Sequence, residues 1–146
     1  MAGEISIHQV TPDILRVELR HAVQYFQDLG HEQCELVFGW HWGMYYPPSA
    51  PWKTLEVLLA NVEEEIQKPE ICGLGEFGRD DLTIRVPSMD AEFLFCHHRG
   101  VHPSFSRPGN IVEDYLARWK SAGLTPVARD CKSADSGAAS WRSVPN

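Results

Sequence analysis

Residues 81–96 read DLTIRVPSMDAEFLFC, and this stretch decides the fold class. Leu82, Ile84 and Val86 alternate with Thr83 and Arg85, the period of two that gives a strand one apolar and one polar face. Pro87, Ser88, Met89 and Asp90 then supply turn chemistry. The run AEFLFC at 91–96 is apolar on both faces, which suits a central strand. Two such strands joined by so short a turn predict an antiparallel hairpin, and an antiparallel sheet with helices elsewhere in the chain belongs to the α+β class.

Upstream, Thr11, Pro12 and Asp13 are a capping residue, a first-turn proline and an acidic first turn. Leu15, Leu19, Ala22, Val23, Phe26 and Leu29 follow at three- and four-residue steps up to Gly30, so a helix is expected over 12–29. Leu15, Val17 and Leu19 also alternate as a strand would; the helix reading is preferred. Residues 5–10 and 34–38 (CELVF) read as short strands. A second helix is expected from about Pro51, with Trp52, Leu55, Leu58, Leu59, Val62 and Ile66 as its stripe and Pro69 as its end.

Downstream, Asn110 and Glu113 form a capping-box-like pair. Ile111, Val112, Tyr115, Leu116 and Trp119 make the buried stripe of a third helix that Gly123 ends. Residues 125–128 can add an edge strand. From Arg129 onward the chain is small, polar and aperiodic, which reads as a flexible tail. The expected architecture is one α+β domain over 1–128, with an antiparallel sheet of three to five strands and about three helices packed on one face, and a tail over 129–146.

The 146 residues carry a formal charge of -7 and are 43% hydrophobic. That charge argues against a nucleic-acid groove or an anionic membrane as partner, since phosphates are held by clustered Lys and Arg, and it suits a basic protein partner. No stretch is long and apolar enough to span a bilayer, and the N-terminus has no signal-peptide pattern, so a cytoplasmic protein is expected. Cys34, Cys72, Cys96 and Cys131 are scattered, which fits reduced thiols, the first three as small core residues. Oligomeric state cannot be read from these features.

Four constellations carry candidate chemistry. Residues 73–78, GLGEFG, match GxGxxG, but a dinucleotide fingerprint follows a strand and opens a helix, whereas here a helix precedes and a strand follows. A helix-to-strand connection is the reading adopted, and no cofactor is expected. Residues 96–102, CHHRGVH, are dense in metal ligands. As adjacent strand residues His97 and His98 would point to opposite faces, so at most one of them joins Cys96 or His102 directly, and a fourth zinc ligand would have to come from afar, such as His41 or Asp81. Hydrogen-bonded histidines at a strand end are the preferred reading. Catalysis by Cys96 would need a base within reach and an oxyanion hole. Phe38, Trp40, Trp42, Tyr45, Tyr46 and Trp52 crowd an irregular stretch, either as a lid on the core or as partner anchors. Glu76, Asp80 and Asp81 add an acidic cluster.

The run 75–102 (GEFGRDDLTIRVPSMDAEFLFCHHRGVH) followed by NIVEDYLARWKSAGL at 110–124 resembles small uncharacterised bacterial proteins with a DDL strand, an FCH-type strand and a Trp-bearing helix. Some proteins of that kind resemble immunity partners of secreted toxins, and the resemblance covers about residues 73–124. The expected function is therefore a non-catalytic protein-binding module, an immunity-type inhibitor of a basic enzyme, with Trp40, Trp42, Tyr45, Tyr46, Glu76, Asp80 and Asp81 as partner-binding residues. The alternative is a small metal-dependent hydrolase built on His97, His98, His102 and Asp81.

Overall fold

The computed structural model describes residues 3–39, 42, 53–89, 91–106 and 109–130. In chain order these form β1 (Gly3–Ser6), α1 (Pro12–Asp28), β2 (Gln33–Phe38), β3 (Lys53–Leu58), α2 (Val62–Ile71), β4 (Leu82–Val86), β5 (Ala91–Phe95), β6 (Val101–Phe105), α3 (Gly109–Ser121) and β7 (Val127–Asp130). The α+β class, the antiparallel sheet and three helices on one face are as the sequence predicts.

The strand order is β3-β2-β4-β5-β6-β1-β7. The first five make one continuous antiparallel ladder, with Leu36↔Ile84, Ile84↔Phe93 and Phe93↔Pro103 in a single row. β1 and β7 form a ribbon over four residue pairs. That ribbon joins β6 through Glu4↔Ser104 and the isolated bridge Ile7↔Val101. Alternation decides the two faces. Leu36, Phe38, Leu82, Ile84, Phe93, Phe95, Val101 and Phe105 point inward and are buried. Glu35, Val37, Thr83, Arg85, Glu92, Leu94 and His102 point outward, half-buried or exposed.

The inner face meets the helices through aromatic edges. Phe26 of α1 lies 5.6 Å from Phe93, and Tyr115 of α3 lies 5.9 Å from the same ring, centroid to centroid. Val62 and Ile66 of α2 complete the core. Thr11 caps α1 as expected, its Oγ1 accepting from Ile14 N at 3.2 Å. Gly30, at φ +91°, closes it: the Gly30 N–H donates to Gln27 O and the His31 N–H to Phe26 O. Between α1 and α3, the Glu18 carboxylate is 3% exposed. It accepts from Arg118 Nη1 at 2.6 Å, Arg118 Nη2 at 2.8 Å and Trp119 Nε1 at 2.8 Å.

The helix expected from Pro51 is corrected. Lys53–Leu58 is a strand paired residue for residue with Gln33–Phe38. Leu55, Leu58 and Leu59 fit a helical stripe, but Leu55, Val57 and Leu59 also alternate, and the free edge of β2 selects the second pattern. Leu58 consequently faces out, 47% exposed. The helix starts only at Val62 and carries Pro69 inside it rather than stopping there. Helix α3 starts at Gly109, so Asn110 lies in its first turn rather than at its cap. Strand β7 takes in Arg129 and Asp130, two residues past the boundary expected for the tail; residues 131–146 lie outside the described residues. Cys34 and Cys96 are buried as expected, whereas Cys72 is exposed just past the end of α2. No described helix is long and apolar enough to cross a membrane.

Candidate functional site

The three helices cover the inner face, and no described helix lies on the outer one. Two places on that outer face concentrate polar chemistry.

The first is the end where β6 meets β1. Leu94↔His102 is a register pair, and Cys96 follows on the same face of β5's extension, its N–H donating to Gly100 O at 3.0 Å. From β1 and the residues after it come Ser6 and His8, whose Oγ and Nε2 are 2.9 Å apart. His8 stands edge-on to His102, 5.0 Å between ring centroids. Gly100 is required here: a Cβ would sit 2.9 Å from Cys96 Sγ, 3.0 Å from Ile7 O and 3.1 Å from His102 Nε2. Burial drives the His102 imidazole down to about 4; His8 pushes the same way, and Asp81 opposes them. His102 is therefore neutral at pH 7.

The turn beside this cluster is strained. Gln9 and Arg99 both adopt φ 55°, a left-handed conformation costing about 1–2 kcal/mol for a residue with a Cβ. They are held by each other's neighbours. Gln9 N donates to His98 O, Val10 N to Arg99 O, and Arg99 Nε to Val10 O at 2.8 Å. Asp81 Oδ1 accepts from His97 N at 2.7 Å and lies 2.9 Å from His97 Nδ1, fastening the β5–β6 turn to the start of β4.

The second place is the opposite end. The row Glu56, Glu35, Arg85, Glu92, Ser104 runs straight across five strands. Arg85 Nε donates to Glu35 Oε1 at 2.8 Å. Glu56 faces Glu35 directly, a like-charge pairing that costs a few tenths of a kcal/mol or more. A groove of about 460 Å3 opens beside them, lined by Glu32, Glu35, Glu56, Leu58 and Pro87 among others. A second, of about 390 Å3, includes Glu35, Arg85, Pro87 and Glu92. Beneath, Cys34 is an inert thiol, pushed up to about 12 by burial and then by Glu35.

The residues singled out in sequence divide sharply. Trp42 is fully buried, 5.2 Å from Phe38 between ring centroids, and Gly75 packs so close that a Cβ would meet its ring at 2.4 Å. The Trp42 side chain thus lids the core and is not presented to a partner. Trp40, Tyr45, Tyr46 and His41 lie outside the described residues. Asp80 is 4% exposed and accepts from Glu76 N at 2.8 Å, so its carboxylate closes a loop instead of facing outward. Asp81 is engaged with His97, and Glu76 is exposed beside Arg79. His97 and His98 do not point to opposite faces: both sit in a turn, with rings 4.1 Å apart. Among the described residues no three His, Cys, Asp or Glu side chains are placed to hold one metal ion. His102 belongs with His8 and Cys96, while His97 belongs with Asp81.

The glycines of 73–78 connect α2 to β4. Gly73, at φ +74°, ends α2, its N–H donating to Glu70 O and that of Leu74 to Pro69 O. Gly75 makes room for Trp42, and Gly78 lies against Leu15. Sequence reasoning missed Ser6, His8, Glu32, Glu35, Glu56 and Glu92. The one available signal was strand alternation, which marks Glu35 and Glu92 as outward; their alignment across strands needs the register. No protein-family model, curated protein or solved structure matches the chain.

Proposed function

We propose that the chain is a non-catalytic protein-binding module that acts in the cytoplasm and holds a basic partner on the outer face of its sheet. Its narrower form is an immunity-type inhibitor of a basic enzyme. The observation that carries this reading is the acidic row and its two grooves on a face that no described helix covers. Glu32 and Glu56 border the larger groove, and among the described residues neither appears in an ion pair. A partner's Arg or Lys would relieve the Glu35–Glu56 repulsion and gain charge-assisted hydrogen bonds. The net charge of -7 would also speed its approach.

The test compares immobilised wild type with Glu32→Lys/Glu56→Lys, and with Glu64→Lys/Glu113→Lys as a control of equal charge change on exposed helix positions. Proteins retained at low ionic strength are identified by mass spectrometry. Basic proteins held by wild type and control, lost from the groove variant and released by salt, are the expected result. Identical retained sets on both variants would sink the assignment of this face.

A further inference from the structure

Strand β3 is an open edge of the sheet. In the order β3-β2-β4-β5-β6-β1-β7 its neighbour is β2, and among the described residues nothing pairs its other side. Such an edge presents a row of backbone N–H and C=O groups on which another strand can form. Natural edges are guarded by shortness, by bulges or by charge. β3 has no bulge: its six residues, Lys53–Leu58, pair with β2 one for one. The opposite edge, β7, has four residues. The guard in the middle of β3 is a charge, Glu56, which turns some strands away and admits others. We infer that the β3 edge receives an extended basic segment of the partner, which adds an antiparallel strand to the sheet. This rests on the reading of the outer face as the site for a basic partner, and it specifies the element by which that partner is held.

The side chains along β3 define the strand that fits. Alternation puts Thr54, Glu56 and Leu58 on the outer face, all exposed, and Leu55 and Val57 on the inner one. Leu55 is only half-buried, at the margin of the core. Glu56 lies opposite Glu35, which holds Arg85 on its far side. An Arg or Lys laid opposite Glu56 makes the row read positive, negative, negative, positive, so each carboxylate gains a cation neighbour. A second copy of the chain does the reverse. β3 against β3, centred on Glu56, sets two Glu56 and two Glu35 in one line. A two-residue slip either way still leaves the two Glu56 diagonal neighbours. Charge therefore selects a basic strand over self-pairing. From the residue opposite Leu58 to that opposite Thr54, the segment runs apolar, apolar, Arg or Lys, apolar, polar. Its inward positions extend the cover over Val57 and Leu55.

The experiment adds the peptide acetyl-Lys-Leu-Val-Arg-Val-Thr-Lys-amide to the full chain and follows backbone amides by NMR. Saturable shifts centred on β3, with slowed exchange at alternate β3 amides, are expected. Two versions N-methylated on alternate residues decide whether a strand is added. In a strand one set of amides faces β3 and the other faces water, so one version should lose at least about ten-fold in affinity and the other should keep it. Glu56→Lys should weaken the arginine peptide about five-fold, and a peptide with Glu in place of Arg should prefer that variant to wild type. Equal loss from both methylated versions would overturn the strand. So would shifts that leave β3 untouched, no saturation by about 1 mM, or a wild type that self-associates through β3. Retention of basic proteins that depends on Glu32 and Glu56 survives a peptide that ignores β3, so failure of the edge and failure of the partner reading are told apart.

Discussion

Removing the charge of Glu18 should cost the fold more than any other single-atom exchange at a polar position described above. Its carboxylate is 3% exposed and receives three N–H groups, two from Arg118 and one from Trp119. Glu18→Gln keeps the volume but gives up the bidentate pair. Breaking a buried pair from one side typically costs about 3–5 kcal/mol. The Arg118 side chain is 30% exposed and can turn toward water, so the lower end, about 3 kcal/mol, is expected. Against a total of about 5–15 kcal/mol for such a domain, that is a large share. Glu18→Ala adds the stranded Trp119 N–H and should cost about 4 kcal/mol. Arg118→Met alone leaves an uncompensated buried carboxylate and should cost at least about 3 kcal/mol. The double variant Glu18→Leu/Arg118→Met removes both charges and should be less damaged than the sum of the singles by about 2–3 kcal/mol. Urea unfolding, with m-values checked for constancy, measures all of these. Glu18→Gln within about 0.5 kcal/mol of wild type, or additive singles, would refute the claim that this triad joins α1 to α3.

Three further outcomes are expected. Gly75→Ala drives a methyl to 2.4 Å from the Trp42 ring and should cost about 1–3 kcal/mol, with a changed near-UV signal from the displaced indole. His102 is held near 4 in the fold and near 6.5 when unfolded, so its contribution is intact above about pH 6.5 and is lost as pH falls toward 4. Discounted for its partial exposure, that loss is about 2 kcal/mol, and His102→Gln should flatten the slope seen in urea melts across the window. Zinc or a chelator should leave Tm unchanged; a Tm that rises with zinc and falls on chelation would revive the hydrolase reading.

The hairpin at 82–95, α1 with its Thr11 cap and the Tyr115–Trp119 stripe were legible because each announces itself within a few residues. Residues 53–58 were not, since their apolar positions satisfy periods of two and of about 3.6 equally well, and only a partner strand, Gln33–Phe38, chooses between them. The candidate sites were hidden for a related reason. Cys96, His97, His98 and His102 are neighbours in the chain, and proximity in sequence suggested one cluster. The turn at 97–99 divides them, sending His97 to Asp81 and leaving His102 with His8, a residue far upstream. The acidic row is invisible along the chain because its members come from β3, β2 and β5, and sheet register alone lines them up.

The position of β1 has a consequence for how the chain comes off the ribosome. Within residues 33–105 each of β3, β4, β5 and β6 pairs with a strand made before it, β4 reaching back past β3 to β2, so a nascent chain can add them in order of synthesis. β1 is made first, yet its partners Ser104 and Val127 emerge about a hundred or more residues later. Until then its apolar Ile5 and Ile7, both almost wholly buried in the finished fold, have nowhere to go. Of the described strands β1 waits longest for its partners, and during that interval it is exposed to chaperones and to mispairing with a neighbouring chain.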